Sequence, residues 1–113
     1  MGESGSLVQG TLDMLILKTL ALESMHGYGI GARLTQISQG RFQVNAGSLF
    51  PAFRRLERDG LIKSHWDVTE NNRQAKYYAL TPRGRSTLKA QTQEWEAQTA
   101  AIARILNASA GDL

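Results

Sequence analysis

No cysteine occurs among the 113 residues of this chain, which excludes disulfide bonds and metal sites built on thiolates. The chain also has no run of about 18 or more apolar residues, so no segment is a candidate membrane-spanning helix. Its first residues do not resemble a signal peptide. These absences favour an intracellular soluble protein, and we expect a cytoplasmic location without membrane contact.

Residue clusters that support catalysis or metal binding are also missing. The run GYGIG at 27–31 lacks the G-x-G-x-x-G spacing of dinucleotide sites and follows a predicted helix instead of a strand. His26 has no second ligand three or four residues away, so a hydrogen-bonded histidine at a helix start explains it better than a metal site. Ser86 and Lys89 match S-x-x-K, but the motifs that accompany it in serine acyl-enzymes are absent. We therefore expect no catalytic residues, no metal and no cofactor.

Basic residues are concentrated in the middle of the chain. The formal net charge is +3, yet residues 33–89 hold eleven basic and four acidic residues, a net +7, whereas the flanks together carry −4. A basic middle between acidic ends predicts that the central segment contacts a polyanion.

The sequence NAGSLFPAFRRLERDG, residues 45–60, predicts a short helix with one apolar and one basic face. Small residues at its start and three arginines along its body suit a helix whose N-terminal end enters the DNA major groove while its flank binds phosphates. The alternative is a surface helix whose arginines are solvated and partly paired with Glu57 and Asp59, and this helix alone does not decide between the two. The residues that we expect to contact DNA from this helix are Asn45, Gly47, Ser48, Pro51, Arg54, Arg55 and Arg58.

After Gly60 the apolar pattern changes from helical spacing to alternation, which predicts two strands. The first strand begins at Ile62, turn residues stand at 70–73, and the second strand covers 74–80. A hairpin directly after a reading helix is the wing of a winged helix-turn-helix, and its tip can reach a phosphate or the minor groove. The residues that we expect at this tip, in contact with DNA, are Asn71, Asn72, Arg73 and Lys76.

The first and last helices are predicted to join two copies of the chain. A helix over 7–22 is apolar nearly all round, which in a small chain favours burial against a second subunit; the alternative is a core helix in a monomer. A helix over 82–107, capped by Thr81, outgrows the domain, and its seam is too polar to form a strong coiled coil alone. We expect the two helices to form a dimer interface through Leu12, Leu88, Trp95, Ile102 and Leu106.

Together these elements predict a mainly α fold with a small two-stranded β wing. A winged helix-turn-helix over 7–80 precedes a long C-terminal dimerisation helix over 81–107, and residues 1–6 and 108–113 are expected to be disordered tails. A protein of this kind would be a dimeric, sequence-specific DNA-binding regulator. The alternatives are a non-specific architectural DNA binder and a winged-helix protein-interaction module, and an enzyme is the least favoured class.

The sequence resembles the PadR family of bacterial winged-helix transcriptional regulators, in particular its short subgroup with a single C-terminal helix. The resemblance covers nearly the whole chain and rests on LDMLILKTLAL, HGYGI, AGSLFPAFRRLERDGLI and KYYALTPRGR. It implies a homodimeric repressor that binds an inverted repeat in double-stranded DNA and is released by a small molecule or stress signal. Phe50 stands where the family commonly has tyrosine, and Gln74 and Ala75 stand where its wing is often arginine-rich, so DNA contacts at these positions are not carried over.

Trp95 is similar in position to a tryptophan of the family's multidrug-sensing members. In those proteins the ring faces its symmetry mate and sandwiches flat aromatic compounds, an arrangement that stacked aromatic faces allow. The alternative is that Trp95 only fills the dimer seam. The resemblance therefore implies a small aromatic effector, with Met14, Gln91, Trp95 and Gln98 as its candidate binding residues.

Overall fold

The computed structural model describes residues 10–113 of the chain. Its elements run in the order α1 (Leu12–Leu22), β1 (Met25–His26), α2 (Gly27–Ile37), α3 (Ala46–Arg58), β2 (Ile62–Val68), β3 (Gln74–Leu80), α4 (Pro82–Leu106) and a short 3₁₀ turn (Ala110–Asp112). This mainly helical chain with a small antiparallel sheet confirms the predicted winged helix-turn-helix followed by a long C-terminal helix.

The sheet has three strands in the order β1-β3-β2, one more than the sequence predicted. The additional strand, β1, pairs antiparallel with Tyr78 and Tyr77 of β3. Two residues are too few to show an alternating pattern, so no periodicity indicated this strand. Its effect is to attach the start of α2 directly to the base of the wing.

The start of α1 and the last residues of the chain differ from expectation. The predicted tail at 1–6 and the first residues of the predicted helix over 7–22 lie outside the described residues, and α1 begins only at Leu12. Gly10 has a φ of 86°, in the left-handed region that an α-helix does not accommodate, so a helix running through this residue is wrong. At the other end, where a disordered tail was expected at 108–113, Ser109 and Asp112 cap each other around the 3₁₀ turn.

Side-chain caps fix the starts of three helices. In each case the capping atom accepts a hydrogen bond from the backbone N–H three residues later, as favoured at helix N-termini. The pairs are His26 Nδ1 with Gly29 N (3.1 Å), Asn45 Oδ1 with Ser48 N (3.0 Å) and Thr81 Oγ1 with Gly84 N (3.0 Å). The histidine is thus a helix cap, as its sequence context predicted.

The core lies where α1, α2, α3 and the base of the wing meet. Ile16 and Ile30 are fully buried, and Phe53 of α3 is 1% exposed. The Phe53 ring packs on Tyr78 of β3 with ring centroids 4.6 Å apart, and Phe50 meets the Phe53 ring edge-on at 5.4 Å. Full burial of one such apolar side chain stabilises the fold by roughly 1.5–3 kcal/mol, so these contacts hold α3 firmly against the sheet.

Helix α4 leaves the wing through an unusually close backbone contact at Gly84. A Cβ atom at this position would overlap the carbonyl oxygen of Leu61 and lie 2.8 Å from Leu80 Cδ1. The Thr81 hydroxyl reinforces the junction, because it donates to the carbonyl oxygens of Gly60 (2.7 Å) and Leu61 (3.0 Å). The missing side chain at Gly84 therefore sets the direction in which α4 departs.

We expect Gly84→Ala to lower the free energy of unfolding by about 1–3 kcal/mol, because the first turn of α4 must move away from Leu61. The shift in the midpoint of urea unfolding measures this loss. Gly111→Ala is the control, since a Cβ there would come no closer than 3.7 Å to Ser109 Oγ. Equal stability of the two variants would contradict the close contact.

Candidate nucleic-acid interface

The outer face of α3 combines small residues and cations. Gly47, Pro51, Arg54 and Arg58 are three or four residues apart and so share one face of the helix, opposite its buried apolar face. The N-terminal half of this row carries little side-chain bulk, and the C-terminal half carries two positive charges. Such a face allows close approach of the helix tip to a polyanion.

The three arginines of α3 have different surroundings. Arg55 turns towards α1 and binds Asp13 through two hydrogen bonds, Nη2 to Oδ1 at 2.8 Å and Nε to Oδ2 at 3.5 Å. This hydrogen bonding, with the charge of Asp13, raises the pKa of the guanidinium. Arg58 Nε lies 3.1 Å from Asp59 Oδ1, whereas within residues 10–113 no carboxylate pairs with Arg54. Arg54 is therefore the α3 cation whose charge remains uncompensated by this part of the chain.

The alternative of a solvated surface helix paired these arginines partly with Glu57 and Asp59, and only one such pair is observed among the described residues. Asp59 does pair with Arg58, but Glu57 pairs with Lys76 of the wing, Nζ to Oε1 at 3.7 Å. The partner of Arg55 is 42 residues away in sequence, beyond any local spacing rule. The ion pair joins α1 to α3, so Arg55 helps to orient the helix on which the other two arginines stand.

The wing turns around Thr69, whose hydroxyl oxygen accepts hydrogen bonds from the backbone N–H groups of Asn71 and Arg73, both at 3.3 Å. Asn72 occupies the turn with a φ of 61°, a conformation that asparagine tolerates. The side chains of Asn71, Asn72 and Arg73 are exposed at the tip, as predicted. Lys76 was wrongly placed there, because it lies inside β3 opposite Trp66.

A groove of about 400 Å³ lies between α3 and the wing. Arg54 and Phe50 line it from α3, Trp66 and Lys76 line it from the wing, and Tyr78 lies among its lining residues. Burial, and then the nearby Glu57 carboxylate, raise the pKa of the Tyr78 phenol, while Arg54 lowers it.

Two exposed aromatic residues at this groove, Tyr28 and Trp66, were not among the predicted site residues; they are 72% and 66% exposed. Strand alternation does place Trp66 on the same face as Ile62, but no sequence pattern indicated that this face extends beyond the core.

A second feature lies between α1 and α4, on both sides of Trp95. One cleft of about 530 Å³ is lined by Met14, Lys18, Leu88 and Trp95 among others. The other, of about 380 Å³, brings together all four candidate effector residues, Met14, Gln91, Trp95 and Gln98. The predicted dimer residues divide into three groups. Leu12 and Leu88 pack on the core of their own chain, Trp95 lines both clefts, and Ile102 and Leu106 are 52% and 78% exposed.

Two further features are absent from the part of the chain that the structure describes. None of its helices is long and apolar enough to cross a bilayer. Its histidines and carboxylates form no group of three or more that could hold a metal ion.

Comparison with known proteins identifies the family. The sequence profile described as "Transcriptional regulator PadR-like family" matches residues 16–90, which include α2, α3, the wing and the start of α4. The chain belongs to the PadR-like family of transcriptional regulators. This confirms the resemblance carried by the four sequence motifs.

Similar proteins of known structure and a similar bacterial regulator agree with this family assignment. A PadR family transcriptional regulator from Eggerthella lenta is 31% identical, with a TM-score of 0.77 and coverage of 89% of this chain and 86% of that chain. A transcriptional regulator from Clostridium thermocellum is 30% identical, with a TM-score of 0.77 and coverage of 85% of this chain and 93% of that chain. A transcriptional regulator of Mycobacterium tuberculosis is 42% identical over 59 residues, 51% of this chain and 54% of that protein.

In this PadR-like regulator, we expect Asp13 and Arg55 to be energetically coupled. Asp13→Ala and Arg55→Ala should each lower the urea midpoint, and the double variant should lose less stability than the sum, because either change alone breaks the pair. Arg58→Ala with Asp59→Ala is the matched control, since that pair joins adjacent residues and no two helices. If the stability losses of Asp13→Ala and Arg55→Ala simply add in the double variant, the expected coupling is wrong.

Proposed function

We propose that this PadR-like chain is a homodimeric repressor that binds an inverted repeat in double-stranded DNA. The observation that carries the proposal is the outer face of α3, where a tip of small residues is followed by the uncompensated Arg54, beside an exposed wing. A helix of this kind enters the major groove with its N-terminal end. Two copies related by a two-fold axis would present two such helices about 34 Å apart, one turn of DNA.

The residues of α3 take distinct parts in this proposal. Gly47 and Pro51 allow the helix tip to approach the base edges. Ser48 and the side-chain Nδ2 of Asn45 donate hydrogen bonds there, because Asn45 Oδ1 already accepts the cap hydrogen bond. Arg54 binds phosphate. Arg58 does so as well, because its exposed pair with Asp59 contributes little and is readily exchanged.

Arg55 has another part, as the residue that holds α3 on α1 through Asp13. At the wing, Asn71, Asn72 and Arg73 reach the neighbouring minor groove or its phosphates.

The C-terminal helix supports the homodimer. Helix α4 has 25 residues, a length of about 38 Å, and its last turns expose Ile102, Ile105 and Leu106. The radius of gyration is 16.7 Å, against about 13 Å for a compact chain of this size, because α4 extends away from the domain. Exposed apolar side chains on a projecting helix are typical of a contact surface, and a second copy is the partner proposed for it.

The clefts beside Trp95 support the release of DNA by a small aromatic effector. A planar ring can stack on the indole, with Met14 as a soft apolar contact and Gln91 and Gln98 as hydrogen-bonding groups. Met14 adjoins Asp13, which is bound to Arg55 of α3. A ligand that displaces α1 would thus move the reading helix through this ion pair, which links occupancy of the cleft to DNA affinity.

The test of DNA binding begins with selection of duplexes from random-sequence DNA by the purified protein. We expect a symmetric site that binds two chains. On this site, Arg54→Ala should weaken binding and reduce the slope of log affinity against log salt by about one, because one phosphate contact is lost. Binding titrations by fluorescence anisotropy at several salt concentrations measure both quantities.

Lys63→Ala is the control for the charge change, because alternation along β2 places Lys63 on the opposite face of the sheet. It should leave affinity and slope unchanged. Unchanged binding in Arg54→Ala would remove α3 as the DNA face. A lack of preference for any symmetric site would favour an architectural binder, and no DNA binding at all would favour a protein-interaction module.

The effector proposal is tested with Trp66→Phe, which leaves Trp95 as the remaining tryptophan. We expect planar aromatic compounds to quench Trp95 emission by stacking and to lower the affinity for the symmetric duplex at the same concentrations. Non-planar apolar compounds of similar size are the control. Emission that stays constant across a panel of planar compounds would show that Trp95 only fills a seam.

A further inference from the structure

The wing carries an apolar and basic face that continues beyond the protein core. Its register pairs Ile62 with Leu80 at the base, Ser64 with Tyr78 next, and then Trp66 with Lys76. Exposure rises along this one face from 2% at Ile62 to 66% at Trp66. The outer half of the hairpin therefore keeps a tryptophan in solvent, although the face on which it stands is the one that packs on α3 at the base.

The opposite wall of the groove is α3 itself. Arg54 and Phe50 line the groove from this helix, and Tyr28, whose ring meets Phe50 edge-on at 5.6 Å, stands beside them. Cations thus lie on both walls, Arg54 on α3 and Lys76 on the wing, and the Glu57 carboxylate lines the groove with them, paired with Lys76. Between them are aromatic faces, so the groove suits a ligand that alternates anionic and apolar groups.

Glu57 holds the two walls together. Its carboxylate accepts a hydrogen bond from Ser64 Oγ at 2.6 Å and pairs with Lys76 Nζ at 3.7 Å, and both partners belong to the wing. The negative charge of Glu57 is balanced in this way, and Lys76 is kept at the groove and not at the wing tip. Glu57 is a positioning residue for the groove.

The geometry of duplex DNA indicates what would lie in such a groove. Where a reading helix occupies the major groove and the wing tip reaches the adjacent minor groove, the sugar–phosphate strand that divides the two grooves passes between helix and wing. Each nucleotide of that strand offers a phosphate and the apolar edge of a deoxyribose. This sequence of groups matches Arg54 and Lys76 on one hand and Trp66 on the other.

We propose that the groove between α3 and the wing holds one DNA strand and that Trp66 is a DNA-contacting residue. The indole packs on a deoxyribose and directs its N–H to a phosphate, while Arg54 and Lys76 bind the phosphates on either side. This inference rests on the proposed DNA-binding function and adds a contact that carries no charge. Trp66 therefore contributes affinity without contributing to its salt dependence.

The test uses the symmetric duplex selected above. We expect Trp66→Ala to weaken binding about tenfold with an unchanged salt slope, because apolar area and no charge is lost. Trp66→Phe should retain most of the affinity, whereas Lys76→Ala should weaken binding and lower the slope, because a cation is lost and the Glu57 carboxylate is left unpaired beside the strand. His65→Ala is the matched control, because the neighbouring residue of β2 points to the opposite face, and it should bind normally.

A second measurement reads the contact directly. In a Trp95→Phe background, Trp66 is the remaining tryptophan, and its emission should be quenched on addition of the duplex with the same midpoint as the anisotropy titration in that background. This readout keeps the proposal testable even where Trp66→Ala fails to fold.

The outcomes separate this inference from the function on which it rests. Normal affinity of Trp66→Ala, or constant Trp66 emission on DNA binding, together with weakened binding of Arg54→Ala, overturns the groove and leaves DNA binding by α3 intact. A reduced salt slope in Trp66→Ala also overturns it, because the ring would then act only by holding the basic wing in place. If Arg54→Ala also binds normally, the proposed function itself fails.

Discussion

The contact between Phe53 and Tyr78 is the one on which the surrounding surfaces depend. It fixes the apolar face of α3 against β3, so the opposite face of the helix must point to solvent. The same contact sets the distance between α3 and the wing and so defines both walls of the groove between them. A helix with this charge would gain little from its arginines unless its core-facing side held it in one orientation.

The Asp13–Arg55 pair gives the same helix a second attachment, on the side of α1. The hydrophobic contacts determine which face of α3 is buried, and the two-point hydrogen bond adds a directional contact between α3 and α1. One arginine of the basic helix thus serves its orientation, and the charge available for a polyanion is correspondingly smaller than the sequence count suggests. Through these two attachments, α3 is joined both to the wing and to α1.

Features governed by local rules could be predicted from the sequence. The boundaries of α3 and the two strands of the hairpin follow from apolar spacing. The cap at Thr81 follows from the residue types that accept hydrogen bonds at helix starts. Features set by distant residues could not be predicted in this way. The strand β1 exists only because β3 offers it an edge, and the choice of Asp13 as the partner of Arg55 requires the packed fold. For Trp66, strand alternation predicts the face of the sheet on which it lies, but not how exposed it is on that face.

The tight junction at Gly84 has a consequence for how such proteins diversify. Because α4 leaves the wing base in a fixed direction, every residue added to or removed from its first turns would rotate the remainder of the helix by about 100° and shift it by about 1.5 Å. Changes in length that preserve its facing side therefore come in steps of three or four residues. The distance between the domain and the surface that α4 contacts therefore changes in steps of about one helical turn.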